Sequence, residues 1–95
     1  MTARDAYVKK LKEQIDRWNT EISKLEVKAK APLIGMKEAY DKQIRELHAQ
    51  QKAMQQKVRD LQQASDQAWD HLREGADTAR KAMEESFKKA WSIFK

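Results

Sequence analysis

Asp66, Asp70 and Glu74 recur every four residues, and His71 stands beside them. On a helix this spacing puts three carboxylates on one face, where they can hold a hard divalent cation if a second helix adds oxygens. Helical bundles that hold paired metals do so with Glu-x-x-His. Here the order is reversed, His71-Leu72-Arg73-Glu74, and it occurs once, while His48 stands alone. The stripe therefore reads as a solvated acidic face, and neither a metal nor a cofactor is expected. The sequence also lacks a Ser/His/Asp pattern and a glycine-rich phosphate loop, so hydrolytic and nucleotide chemistry have no residues to work with. No catalytic residue is assigned, and the expectation is a protein that is not an enzyme.

The remaining candidate chemistry is binding. Lys9, Lys10 and Lys12 form the densest basic patch of the first third, but Asp5 and Glu13 flank it. A nucleic-acid surface calls for an uninterrupted basic stripe. Near the C-terminal end Phe87, Trp91 and Phe94 fall at helical spacing, with Met83 one turn earlier and Lys88, Lys89 and Lys95 alongside. Such a stripe can lie on a membrane surface, dock into a partner's groove, or form core. Core is the expectation, because Ala76, Ala79, Met83 and Ala90 continue the same face upstream. Glu84 and Glu85 also blunt any pull toward anionic headgroups.

These residues need elements to position them, and the spacing of the large apolar residues says which. Val8, Leu11, Ile15, Trp18, Ile22 and Leu25 alternate three and four apart without a miss. Tyr40, Ile44, Leu47, Met54, Val58 and Leu61 resume the rhythm. A mean period near 3.5 gives a helix a narrow apolar seam that another helix must cover. Gln51 falls at a seam position inside a glutamine-rich stretch, where a polar residue can set register or simply mark loose packing.

The chain has 95 residues with two glycines, one proline and no cysteine, and its net charge is +5. So few turn formers exclude a sheet, and the periodic apolar residues argue against disorder despite 37% charged residues. Without cysteine there is no disulfide or thiolate metal site. With neither a signal-like segment at the N-terminus nor a membrane-length apolar run, the cytoplasm is the expected compartment.

A first helix is expected over about 3–30, with Thr2 as N-cap and Asp5 in the first turn. A break follows at 31–35, where Pro32 and Gly35 interrupt the pattern. This break is either a chain reversal or a kink, and reversal is preferred. A long second helix is then expected over about 33–94, with a weak point near 65–75. Past Leu61 the frame shifts by four, so that Trp69, Leu72, Met83, Phe87, Trp91 and Phe94 continue the seam in a new phase. That shift is a stutter in one helix, or a second turn at Ala64-Ser65-Asp66 that would make a three-helix bundle.

Several stretches resemble a family of short bacterial coiled-coil proteins of unknown role, some labelled cyanobacterial-type stress-response proteins. They are Arg4-Asp5-Ala6-Tyr7-Val8-Lys9-Lys10-Leu11-Lys12, Ile15-Asp16-Arg17-Trp18-Asn19 with Glu21-Ile22, Tyr40-Asp41-Lys42-Gln43-Ile44, and Ala68-Trp69-Asp70-His71-Leu72-Arg73-Glu74-Gly75. Pro32 and Gly35 depart from an unbroken helical pattern. The resemblance implies a coiled-coil fold and a link to stress, and it supplies no catalytic residues.

The expected fold is thus all-α: a single domain forming an elongated antiparallel helical hairpin or coiled coil, with the three-helix bundle as alternative. Helices of about 40 Å and about 90 Å cannot cover each other at 1.5 Å per residue. The unmatched half, with Leu61, Trp69, Leu72 and Met83, would need a second chain, so a homo-oligomer is expected. Function is expected to be structural assembly through the seam, with a protein partner possible. The alternative is binding to anionic surfaces (membrane, nucleic acid or mineral) through the basic N-terminal half and the aromatic C-terminal helix.

Overall fold

The computed structural model describes residues 2–31 and 34–94. They form three helices, α1 (Ala3–Ala29), α2 (Lys37–Gln62) and α3 (Asp66–Ile93), and no strand appears among the described residues. The molecule measures 52 × 20 × 17 Å. Side chains from α2 meet α1 in descending order, Gln51 at Ile15 and Asn19, and His48 at Glu26. Against α3, Tyr40 stacks on Phe94 and Gln43 reaches Ser86. Trp18 meets Phe87 and Tyr7 meets Trp69. The contacts set α2 antiparallel to both neighbours and α1 parallel to α3.

Local signals start each helix. Thr2 Oγ1 accepts from the Asp5 amide at 3.1 Å while the Asp5 carboxylate accepts from the Thr2 amide at 3.3 Å, a reciprocal cap that satisfies two otherwise free donors. The first reversal includes Gly35 at φ +80°, a left-handed backbone that favours glycine. Pro32 in the expected break and Leu33 at the expected start of the second helix lie outside the described residues, and α2 begins later, at Lys37.

The long second helix over 33–94 is corrected by a second reversal at 63–65. Ser65 has extended backbone (φ −71°, ψ 165°), and its Oγ accepts from the Ala68 amide at 3.2 Å. Asp66 in the first turn of α3 favours the positive end of that helix. A serine cap and an acidic first turn are enough to restart a helix without glycine or proline. The four-residue shift past Leu61 is therefore the phase of a new helix rather than a stutter.

With three helices of 27, 26 and 28 residues the apolar seam closes within one chain. All six seam residues of α1 are buried. So are Tyr40, Leu47, Met54, Val58 and Leu61 on α2, and Met83, Phe87, Ala90 and Phe94 at the end of the chain. Ile44, Trp69 and Leu72 are half-buried against this core. Trp91, expected inside, is 36% exposed. Four residues advance a helix by more than a full turn. Trp91 therefore sits farther round α3 than Phe87 and reaches the rim, while Ala90 and Phe94 take the inner face.

Two glutamines share the core: Gln43 and Gln51 are 3% and 4% exposed. Gln51 Nε2 donates to the Ile15 carbonyl at 3.0 Å and to Asn19 Oδ1, while its Oε1 has no partner. A half-satisfied buried amide weakens the core but penalises slipped registers, in which the amide nitrogen would lose its partners as well.

The two glycines are expected to respond oppositely to alanine. A Cβ at Gly75 would meet only the flexible Lys57 Nζ, at 3.6 Å, so Gly75→Ala should raise stability by about 0.5–1 kcal/mol through helix propensity. Gly35→Ala has open space around it but a positive φ, and should cost about 1–2 kcal/mol. Trp18→Ala should cost about 3–5 kcal/mol by opening a cavity in the centre of the bundle. Chemical denaturation of the three variants checks all three values.

Candidate functional site

Two features draw α1 and α3 together around polar side chains. At the end where α2 turns into α3, Arg4 reaches across from α1. One guanidinium nitrogen donates to the Ala64 carbonyl and another to Asp66 Oδ1, both at 2.7 Å. The guanidinium also lies 4.4 Å from the centroid of the Trp69 ring. The Asp66 side chain is 99% exposed, so that ion pair is screened by water. The part-buried bond to Ala64 and the contact with the indole face carry more of the energy.

One turn along, Tyr7 packs edge-on against Trp69 with centroids 6.0 Å apart, and its hydroxyl donates to Asp77 at 2.5 Å. Burial first, then the Asp77 carboxylate as acceptor and as charge, push the Tyr7 phenol up to about 12. Arg4, Tyr7 and Asp77 thus fasten α1 to α3 at this end.

The second feature is a groove. α1 and α3 approach each other less closely than either approaches α2. The gap is spanned by Trp18 and Phe87, stacked at 6.2 Å with 22° between their planes. Two hollows of about 420 Å³ each lie along it and share Gln14 and Arg17, so they form one trough. One is bounded by Tyr7, Leu11, Asp77 and Arg80, the other by Trp18, Glu21, Phe87 and Trp91.

Most carboxylates on the rims are engaged. Glu84 accepts from Arg80 at 3.2 Å, and Glu21 accepts from Trp91 Nε1 at 3.1 Å and lies 3.8 Å from Lys24. Lys28 Nζ stands 5.6 Å above the Trp91 ring. Among the described residues Lys10, Arg17 and Lys28 make no ion pair, and neither does Glu13.

The acidic stripe does not converge on this trough. Asp70, His71 and Glu74 are exposed, and among the described residues no three His, Asp or Glu side chains are grouped to hold a metal. Lys9 and Lys12 border a shallow pocket at the start of α1 together with Asp5. The expected C-terminal aromatic stripe is divided: Phe87 and Phe94 are core and Trp91 edges the trough. Sequence reasoning passed over Arg4 and Tyr7 because their partners lie 60 or more residues away. Tyr7 precedes Val8 and lies four before Leu11, a flank position that signals packing but not a partner.

No family model matches the chain, and no curated protein or solved structure matches it.

The raised Tyr7 value has a signed consequence. A group whose folded pKa lies above its unfolded value of 10.0 binds its proton more tightly when folded. Its stabilising contribution is complete below pH 10 and declines as pH rises toward about 12. Tyr7→Phe should therefore be less stable than the parent at pH 8, and the gap should narrow between pH 10 and 12. Urea midpoints of both proteins across that range test the assignment, and a gap independent of pH would rule it out.

Proposed function

We propose that this protein is a non-enzymatic structural module whose work is contact with another protein. The observation that supports this reading is the division of its surfaces. The polar groups between helices are occupied in holding the bundle, as with Arg4, Tyr7 and Gln51, while the α1–α3 face keeps a trough with charged walls and the exposed Trp91 ring at one end. A trough between two helices is the shape that receives a third element of secondary structure. The stress link and the bacterial coiled-coil relationship implied by the sequence resemblance belong to this proposal, as does a cytoplasmic setting for a chain without cysteine.

Self-association is a second reading, and its basis has moved. The seam residues expected to pair with another chain are covered within this one. The exposed large apolar residues Val27, Ile34 and Trp91 lie instead toward the end of the bundle where α1 finishes. The anionic-surface alternative retains the basic charge, but of its three aromatics only Trp91 is exposed, Phe87 and Phe94 being core. No helix is long and apolar enough to cross a membrane among the described residues.

Two measurements separate these readings. A photo-crosslinking residue at Lys24, on the trough side, should give discrete protein adducts in cells, while the same residue at Gln55 on α2 should not; absence of adducts at Lys24 rules out the contact. Light scattering at low and high salt should return the monomer mass of 11.2 kDa. A larger mass that survives salt would instead favour apolar self-association, since salt screens charge and not burial.

A further inference from the structure

We infer that residues 63–65 are a hinge through which two copies of this chain exchange α3, and that Arg4 is the latch that keeps the hinge folded back. The exchange is independent of the contact reading, because the partner is a second copy and the interface is the core of the bundle itself.

The hinge lacks residues that hold a reversal by themselves. No glycine or proline lies between Gly35 and Gly75. The Gln63 amide still donates to the Arg59 carbonyl at 3.2 Å, the i→i−4 bond of an unbroken helix. The Ala64 amide reaches Leu61 at 3.3 Å in a tighter turn. At Ser65 φ is −71°, a helical value, while ψ is 165°. The reversal is thus confined to Ala64 and Ser65, between segments that are helical on both sides.

A continuous helix through this point satisfies the same groups. The apolar stripe passes from Leu61 to Trp69 and Leu72 with a shift of four residues, which a supercoiled helix absorbs as a stutter. In such a helix the Ala68 amide donates to the Ala64 carbonyl instead of to Ser65 Oγ. The carbonyl that Arg4 now bonds at 2.7 Å is then satisfied within the helix, so the Arg4 bond is needed only in the closed form. The stacking of Arg4 on Trp69 can form with either chain's α3. It is the Ala64 bond that makes Arg4 the latch.

An opened chain cannot stay alone, because Met83, Phe87, Ala90 and Phe94 leave the core with α3. Two opened chains restore burial when the α3 of each fills the place vacated in the other. Core contacts such as Tyr40 on Phe94 and Trp18 on Phe87 re-form between the copies, and exchange of an identical element is a low-cost route to a dimer. Each chain then holds one helix over residues 37–93, about 85 Å long at 1.5 Å per residue, against 52 Å for the closed bundle. The two long helices lie antiparallel, as α2 and α3 do in the closed form, with one α1 covering each end. Since α3 must leave its bundle before it can exchange, chain concentration during refolding selects the form.

The test measures distance within single chains. The sequence has no cysteine, so spin labels enter only at Lys42→Cys and Lys88→Cys. These positions are close in the closed form, where Gln43 reaches Ser86, and about 69 Å apart in one continuous helix. Labelled chains are refolded with an excess of unlabelled ones. Low concentration should give the short distance and the chain mass of 11.2 kDa; high concentration should add a dimer of twice that mass showing the long distance. Ser65→Ala removes the cap and favours helix, so each hinge should open about tenfold more readily and the two-hinge dimer should form about a hundredfold more tightly. Arg4→Met should shift the balance in the same direction. Adding Asp66→Pro to Ser65→Ala should restore the monomer, because proline suits a first helical position, keeps the preceding residue extended and breaks a continuous helix. Thermal melts show that each variant folds. A dimer that keeps the short distance, or one that persists with Asp66→Pro, overturns the exchange. Monomer at every concentration in the parent and in Ser65→Ala overturns the hinge, and a dimer indifferent to Arg4→Met overturns the latch.

Discussion

Every helix of this protein carries an apolar stripe too narrow to bury itself, and the fold depends on the second reversal that brings the third stripe back over the other two. That reversal occurs where turn chemistry is thin, at Gln63, Ala64 and Ser65. Ser65 supplies the cap for α3, yet the carbonyl of Ala64 is left by the ending helix and must find a donor. Arg4 provides it from the start of α1, while its guanidinium rests on Trp69. One residue therefore satisfies the end of α2, touches the beginning of α3, and holds α1 against both.

The consequences spread along the bundle. With α1 parallel to α3, the large rings Trp18 and Phe87 face each other and keep the two helices apart. Smaller residues on α3, Ala76 and Ala90, are fully covered on its inner face. A three-helix bundle built this way is asymmetric in cross-section, and the trough is the visible result. Its walls are lined by long charged side chains whose stems cover apolar surface while their heads stay in water.

Energetically the structure leans on burial far more than on charge. The ion pairs that form, such as Lys37–Asp41 and Arg80–Glu84, join exposed or half-exposed side chains, and such pairs contribute about 0–1 kcal/mol each. Six large side chains, Leu25, Leu47, Met54, Leu61, Met83 and Phe94, are less than 2% exposed. Fully burying a side chain of that size contributes about 1.5–3 kcal/mol. Gln43 and Gln51 interrupt this core at a cost, and their compensation is register: polar groups that are paired only when the helices are aligned as they are.

By itself the sequence determined the helical class, the buried face of α1, the cap at Thr2 and the break before α2. All of these depend on interactions within a few residues or on a period that survives in any partner arrangement. It also held the cue for the third helix, a frame shift next to Ser65, but not its outcome. A stutter and a reversal share the same local pattern, and the choice between them is made by contacts 60 or more residues apart, Arg4 with Ala64 and Tyr7 with Asp77. The same distance explains why the trough was not legible. Leu11, Arg17, Phe87 and Trp91 become neighbours only when α1 and α3 run parallel, and the rotation of α3 about its axis decides that Phe87 turns inward while Trp91 meets water.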